Sequence, residues 1–116
     1  MKTSHTAPIG ETLHLTSTSF ENVVSRPNSV VLVDFWAPWC PPCRAMGPAV
    51  DQVAKDFEGR AVVAKVDIDQ AQDLAARFGI QSIPTVIVFK NGVPQNRSQG
   101  AQSARALAAQ LNAAMG

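Results

Sequence analysis

The chain has 116 residues, 46% of them hydrophobic, two cysteines and a formal net charge of +1. That length and apolar content suffice for one compact domain with its own core, without metal or disulfide staples. Acidic and basic residues are scattered, which excludes the basic stripe of a nucleic-acid binder and the polybasic anchor of a lipid-binding protein, so neither nucleic acid nor membrane is expected as a partner.

Residues 1–11 mix Thr, Ser, Pro and Gly without periodicity and read as a flexible N-terminal tail, leaving 12–116 as the folded domain. The tail holds no apolar stretch of the length a secretory signal needs, and no later stretch approaches the roughly 18 residues that span a bilayer. Both cysteines lie in Cys40-Pro41-Pro42-Cys43. This is not the disulfide framework of a small secreted domain, and a soluble, cytoplasmic monomer is expected.

After a short regular stretch at 12–15, Thr16 to Ser19 supply candidate caps for a short helix containing Phe20, Val23 and Val24, broken by Pro27 and Asn28. Val30 to Val33 with Phe35 and Trp36 form an apolar run too continuous for a half-exposed strand, interrupted only by Asp34, and read as a central strand covered on both faces. From the Pro-Pro pair, Met46, Ala49, Val50, Val53 and Phe57 recur at helical spacing up to Gly59, with a kink expected at Pro48. Ala61 to Val66 make a second buried strand, and the strand-helix-strand order implies a right-handed parallel crossover.

Asp69 and Gln72 have the spacing of a capping box for a helix through Leu74 and Phe78 that Gly79 closes. Thr85 to Phe89 is a third apolar strand, and Asn91-Gly92 predicts a tight hairpin into an antiparallel strand that Pro94 and Gln95 to Gln99 place at a sheet edge. Ser103 caps a last helix that turns Leu107, Ala108, Leu111 and Met115 to the core. The fold class is α/β, and no internal repeat is present.

A Cys-x-x-Cys at the mouth of a helix after a buried strand puts one sulfur at the helix N-terminus and the other one turn further in. There Cys40 sits at the positive end of the helix dipole and accepts a hydrogen bond from an unpaired amide, which lowers its pKa below the free value of about 8.5. Pro41 and Pro42 have no N–H, so the first local donors are Cys43 and Arg44, with Cys43 preferred. The Arg44 guanidinium favours the same thiolate in a supporting role. The expected reaction is attack by Cys40 on a disulfide and cleavage of the mixed disulfide by Cys43. Asp34 is the expected acceptor of the Cys43 proton, with burial raising its pKa toward neutrality. Trp39 is expected as an exposed contact residue, Trp36 as packing. If Ile83 lies next to Cys40 in space, its backbone can pair with an extended substrate segment while Trp39 and Pro84 supply apolar contact.

Val33-Asp34-Phe35-Trp36-Ala37-Pro38-Trp39-Cys40-Pro41-Pro42-Cys43, with Ile83-Pro84-Thr85 and Lys90-Asn91-Gly92, resembles the thioredoxin family from about His14 onward. The resemblance implies a central mixed sheet flanked by helices, a redox-active disulfide with no bound cofactor, and a protein-disulfide reductase. It further implies that Asp34 and Lys65 are a buried catalytic acid and its lysine partner. Pro84 becomes a cis-proline beside the disulfide, and Gly100 borders the substrate groove. The implied partners are a flavin- and NADPH-dependent thioredoxin reductase as electron donor and disulfide-containing proteins as substrates. Two departures are present: Pro41 where the family's reductases usually carry glycine, which bears on redox potential, and Gln99 where an apolar residue is common.

Other readings stand beside this one. Zinc needs four ligands, and the only histidines, His5 and His14, precede the motif without metal spacing; copper(I) on two thiolates is the other metal reading, and no metal is expected. Asp34 as a surface carboxylate and Lys65 as a snorkelling lysine are the structural alternatives. For function, the alternatives are a disulfide oxidase or isomerase and a non-enzymatic binding module.

Overall fold

The computed structural model describes residues 10–116. The tail expected over 1–11 lies outside the described residues, apart from Gly10 and Glu11. In chain order the elements are β1 (Leu13–Leu15), α1 (Phe20–Val24), β2 (Val30–Trp36), α2 (Pro41–Asp56), β3 (Val62–Asp67), α3 (Gln72–Arg77), β4 (Thr85–Lys90), β5 (Val93–Gln99) and α4 (Ala104–Met115).

The strands form one mixed sheet in the order β1-β3-β2-β4-β5, parallel from β1 through β2, with β4 antiparallel to β2 and β5 antiparallel to β4. β2 lies at its centre because it is apolar on both faces: Val30 to Phe35 are all buried. On one face Val30, Leu32, Val63, Val86 and Val88 pack against Met46, Val50 and Val53 of α2 and Leu107 and Leu111 of α4. On the other, Val31, Val33, Phe35, Ile87 and Phe89 meet Phe20 and Val24 of α1 and Leu74 of α3. There Phe89 takes Phe20 and Phe78 edge-on at 5.7 and 5.4 Å between ring centroids, a favoured aromatic geometry. No helix among the described residues is long and apolar enough to cross a membrane.

The helix ends differ in part from the sequence expectation. Ser19 precedes α1, yet its hydroxyl accepts from the Thr16 amide at 2.9 Å and makes no cap bond to the helix. The capping box expected at Asp69 and Gln72 does not form: α3 starts after Ala71 with no side-chain cap, and Gln72 Nε2 donates to the Asp69 carbonyl at 3.4 Å. α2 runs through Pro48 without a break and ends at Asp56, before Gly59. Ser103 does cap α4, its Oγ accepting from Ala106 N–H at 3.1 Å. The stretch at 12–15 supplies β1, an edge strand parallel to β3.

At the hairpin, Asn91 and Gly92 have φ of 53° and 81°, the left-handed pair of a type I′ turn. Asn91 also accepts the Asn28 amide on its Oδ1 at 2.5 Å and donates its own N–H to Ser29 O at 3.0 Å, tying the entry of β2 to the hairpin. A Cβ on Gly92 would come within 3.2 Å of Ser25 Cα. Gly92→Ala is therefore expected to lower the unfolding free energy by about 1 kcal/mol or more. Ser103→Ala should cost about 1 kcal/mol through the lost cap. Urea unfolding midpoints check both.

Candidate active site

The sulfur pair is placed by the junction of β2 and α2. After Trp36 the chain turns through Ala37, Pro38 and Trp39, with Cys40 N–H closing onto Ala37 O at 3.2 Å. Cys40 then takes an extended conformation as the N-cap of α2, and Pro41 and Pro42 fill the first two helical positions, where a missing N–H costs nothing. The first amide left is that of Cys43, and it donates to Cys40 Sγ at 3.3 Å. Arg44 N–H is taken by Cys40 O at 3.1 Å. Of the two donors weighed from sequence, Cys43 is the one used.

Cys40 and Cys43 are joined in a disulfide with their Cα atoms 5.3 Å apart. Cys43 is wholly buried and Cys40 is 4% exposed, so access from solvent falls on Cys40. Ala37, Trp36, Ile68 and Ile83 pack around the pair. Across the site, Ile83 O lies 3.8 Å from Cys40 Sγ. The Ile83–Pro84 bond is cis, and the Pro84 carbonyl accepts Gly100 N–H at 2.9 Å. Gly100 has φ of +89° and open space where a Cβ would stand.

Asp34 points to the α2 face of β2, in line with Val30 and Leu32, and is completely buried. Neither carboxylate oxygen has a hydrogen-bond partner among the described residues. Burial pushes its pKa up to about 7 against a smaller downward pull from Lys65. Lys65 is its register partner on β3, yet the Lys65 ammonium rests over the Trp36 ring, 4.1 Å from the centroid. The two side chains are thus neighbours in electrostatic range without a hydrogen bond between them. A half-buried lysine does better on an indole face at the rim than in a dry pocket beside the acid.

Trp39 is 62% exposed, and Pro38, Pro41 and Pro42 around it are exposed too. Its indole N–H donates to Asp69 Oδ2 at 2.7 Å, which is where the carboxylate expected to cap α3 has gone. Arg44 Nη1 donates to the Pro38 carbonyl at 3.3 Å, so its visible contact is with the loop backbone. Sequence reasoning missed Asp69 as a site residue, because its partner lies 30 positions away in the chain. Two cavities, of about 200 and 240 Å³, are lined by Arg26, Arg60 and their neighbours and by Phe78, Pro94 and theirs, away from Cys40. Beside Cys40 the exposed side chains are Pro38, Trp39, Pro41 and Pro42, a largely apolar surface. No group of three or more His, Cys, Asp or Glu is placed to hold a metal ion among the described residues.

A family model described as Thioredoxin matches residues 11–113. The chain is similar to thioredoxin of Pseudomonas aeruginosa, 42% identical over 101 residues that cover 87% of this chain and 94% of that protein. It is also similar to thioredoxin of Pyropia yezoensis, 44% identical over 98 residues covering 84% and 92%. Among solved structures, a mutant thioredoxin from Halobacterium salinarum superposes with a TM-score of 0.85 at 32% identity over 97% of both chains.

The buried acid sets a pH dependence whose sign follows from its two pKa values. The folded carboxyl titrates at about 7 and an unfolded one at 3.8. Between these values the folded state holds the extra proton, so the Asp34 contribution to stability is most favourable below its unfolded pKa, is lost as pH rises through the window, and is flat above about 7. Asp34→Asn removes this titration. Its stability relative to the parent should improve by about 3 kcal/mol between about pH 5 and pH 8, read from guanidinium unfolding at both values; a difference that does not change with pH contradicts the burial argument.

Proposed function

The chain belongs to the thioredoxin family and is a thiol-disulfide oxidoreductase acting by dithiol-disulfide exchange, and on that premise we propose that its working direction is the reduction of protein disulfides. The exchange chemistry is supported by the single amide of Cys43 aimed at Cys40 Sγ at the start of α2, and the observation that carries the reducing direction is the likeness to thioredoxins, 42% identical over 87% of the chain. That donor and the helix dipole stabilise a thiolate on Cys40 and leave Cys43 as the inner thiol. The redox group is the cysteine pair itself. The domain is taken as 12–116, with residues 1–11 as a tail.

In the reduced protein Cys40 attacks one sulfur of a substrate disulfide. The substrate S–S bond breaks, its leaving thiolate takes a proton, and a mixed disulfide to Cys40 forms. Cys43 then gives its proton to the Asp34 carboxylate and attacks Cys40 Sγ, releasing the second substrate thiol and forming the Cys40–Cys43 disulfide. Two electrons have passed to the substrate. With a pKa of about 7, Asp34 is partly ionised at neutral pH and can take this proton and return it. Lys65 supports the ionised form from the Trp36 side.

Trp39, Ile83, Pro84 and Gly100 form the substrate face. The Ile83 backbone pairs with an extended segment, and Trp39 and Pro84 supply apolar contact. Electrons return from a flavin- and NADPH-dependent thioredoxin reductase, the substrates are disulfide-containing proteins, and the protein acts as a cytoplasmic monomer. Pro41 and Pro42 form the first helical positions between the cysteines, and Arg44 lends positive charge near the site. A second reading, net oxidation or isomerisation, draws on those same prolines, because Pro41 fixes φ where the family's reductases usually carry glycine.

Cys43→Ser is expected to trap a covalent mixed disulfide with a reduction-sensitive protein substrate, seen as a band lost on adding dithiothreitol. Cys40→Ser should trap none. Trapping by Cys40→Ser alone would reverse the assignment. Asp34→Asn should slow release of the second substrate thiol by at least about ten-fold while the first attack changes less, resolved by stopped-flow at neutral pH.

A further inference from the structure

Asp69 is the residue whose placement the expected helix chemistry does not explain. It stands three positions before Gln72, where an acid ordinarily caps the following helix, yet α3 begins with no side-chain cap at all. The carboxylate instead reaches across to the loop before Cys40 and accepts Trp39 Nε1–H at 2.7 Å. The turn after β3 holds it there: Asp69 N–H donates to Asp67 Oδ1 at 2.9 Å, Gln70 N–H to Asp67 O at 3.1 Å, and Gln72 Nε2 reaches the Asp69 carbonyl at 3.4 Å. On the other side of the same loop Arg44 Nη1 holds the Pro38 carbonyl at 3.3 Å.

A tryptophan 62% exposed has little packing to choose among its rotamers. Left free, it would have to be ordered each time a partner docks, and that ordering is subtracted from affinity. We infer that Asp69 is a positioning residue for substrate recognition: with Arg44 bracing the loop backbone, it fixes the Trp39 indole as a preformed apolar platform beside Cys40 for extended protein segments. The role rests on the reading of Trp39 as part of the substrate face. It acts on protein substrates more than on small disulfides, because a small disulfide reaches Cys40 without covering the indole. Asp69→Asn keeps a carbonyl acceptor in the same place, whereas Asp69→Ala removes it.

The test compares full-length parent, Asp69→Ala and Asp69→Asn in reducing insulin and a small aromatic disulfide. It is repeated with each substitution in a Trp39→Phe background, and fluorescence anisotropy of the tryptophans and urea unfolding are measured alongside. Asp69→Ala is expected to lower the ratio of kcat/KM for insulin to kcat/KM for the small disulfide by about three- to ten-fold, the scale of one hydrogen bond. The loss should lie mainly in KM, with lower anisotropy. Asp69→Asn should restore most of the ratio, and in Trp39→Phe the Asp69→Ala change should have no further effect. An unchanged ratio, an equal loss for both substrates, failure of Asn to restore, or a full effect persisting in Trp39→Phe overturns the inference. A parent chain that reduces neither substrate overturns the proposed function instead, a result separable from any of these.

Discussion

One constraint governs the site: the helix that carries the cysteines offers Cys40 a single amide. Pro41 and Pro42 occupy the first turn of α2 and donate nothing, so the N–H of Cys43 is the donor that meets the sulfur, at 3.3 Å. For that amide to point outward, α2 must leave the end of β2 at a fixed angle. The angle is held by the packing of Met46, Val50 and Val53 on Val30 and Leu32. The order of the sheet, with β2 central and parallel to β3, is thus what aims the helix dipole at Cys40 Sγ.

The same centrality has a cost. A strand covered on both faces leaves no water for a charge, and Asp34 is buried there without a hydrogen-bond partner among the described residues. Elsewhere a lone buried carboxyl would only destabilise. Here desolvation lifts its pKa to about 7, into the range where a group can both accept and release a proton in the cell. Lys65 moderates this from a distance, its ammonium held on the Trp36 ring and not bonded to the acid, so the carboxyl is neither quenched as an ion pair nor left wholly neutral.

Much of this was legible in the sequence because it is local. Continuous apolar runs marked β2 and β4, Asn91-Gly92 marked the hairpin, and the two prolines alone singled out the Cys43 amide. What could not be read depends on partners far apart in the chain or on long side chains with several destinations. β1 is three residues, of which only Leu15 is buried, too short for a periodic signal. Asp69 had the spacing of a cap and serves Trp39 instead. Arg44 was expected to favour the thiolate and its hydrogen bond is to the Pro38 carbonyl. The family resemblance, carried by the motif residues, supplied Pro84, Gly100 and Lys65, which spacing alone would not have found.

The central claim is that the reduced Cys40–Cys43 pair of this thioredoxin-family chain gives electrons to protein disulfides. The most direct test is the reduction potential of the Cys40–Cys43 disulfide, found by equilibration in defined dithiol buffers with Trp36 and Trp39 fluorescence as the readout. A value of about −270 mV or lower, within or below the cytosolic glutathione poise, is the result the account predicts. A value of about −180 mV or higher would mean that the pair accepts electrons from proteins more readily than it gives them, and would contradict it.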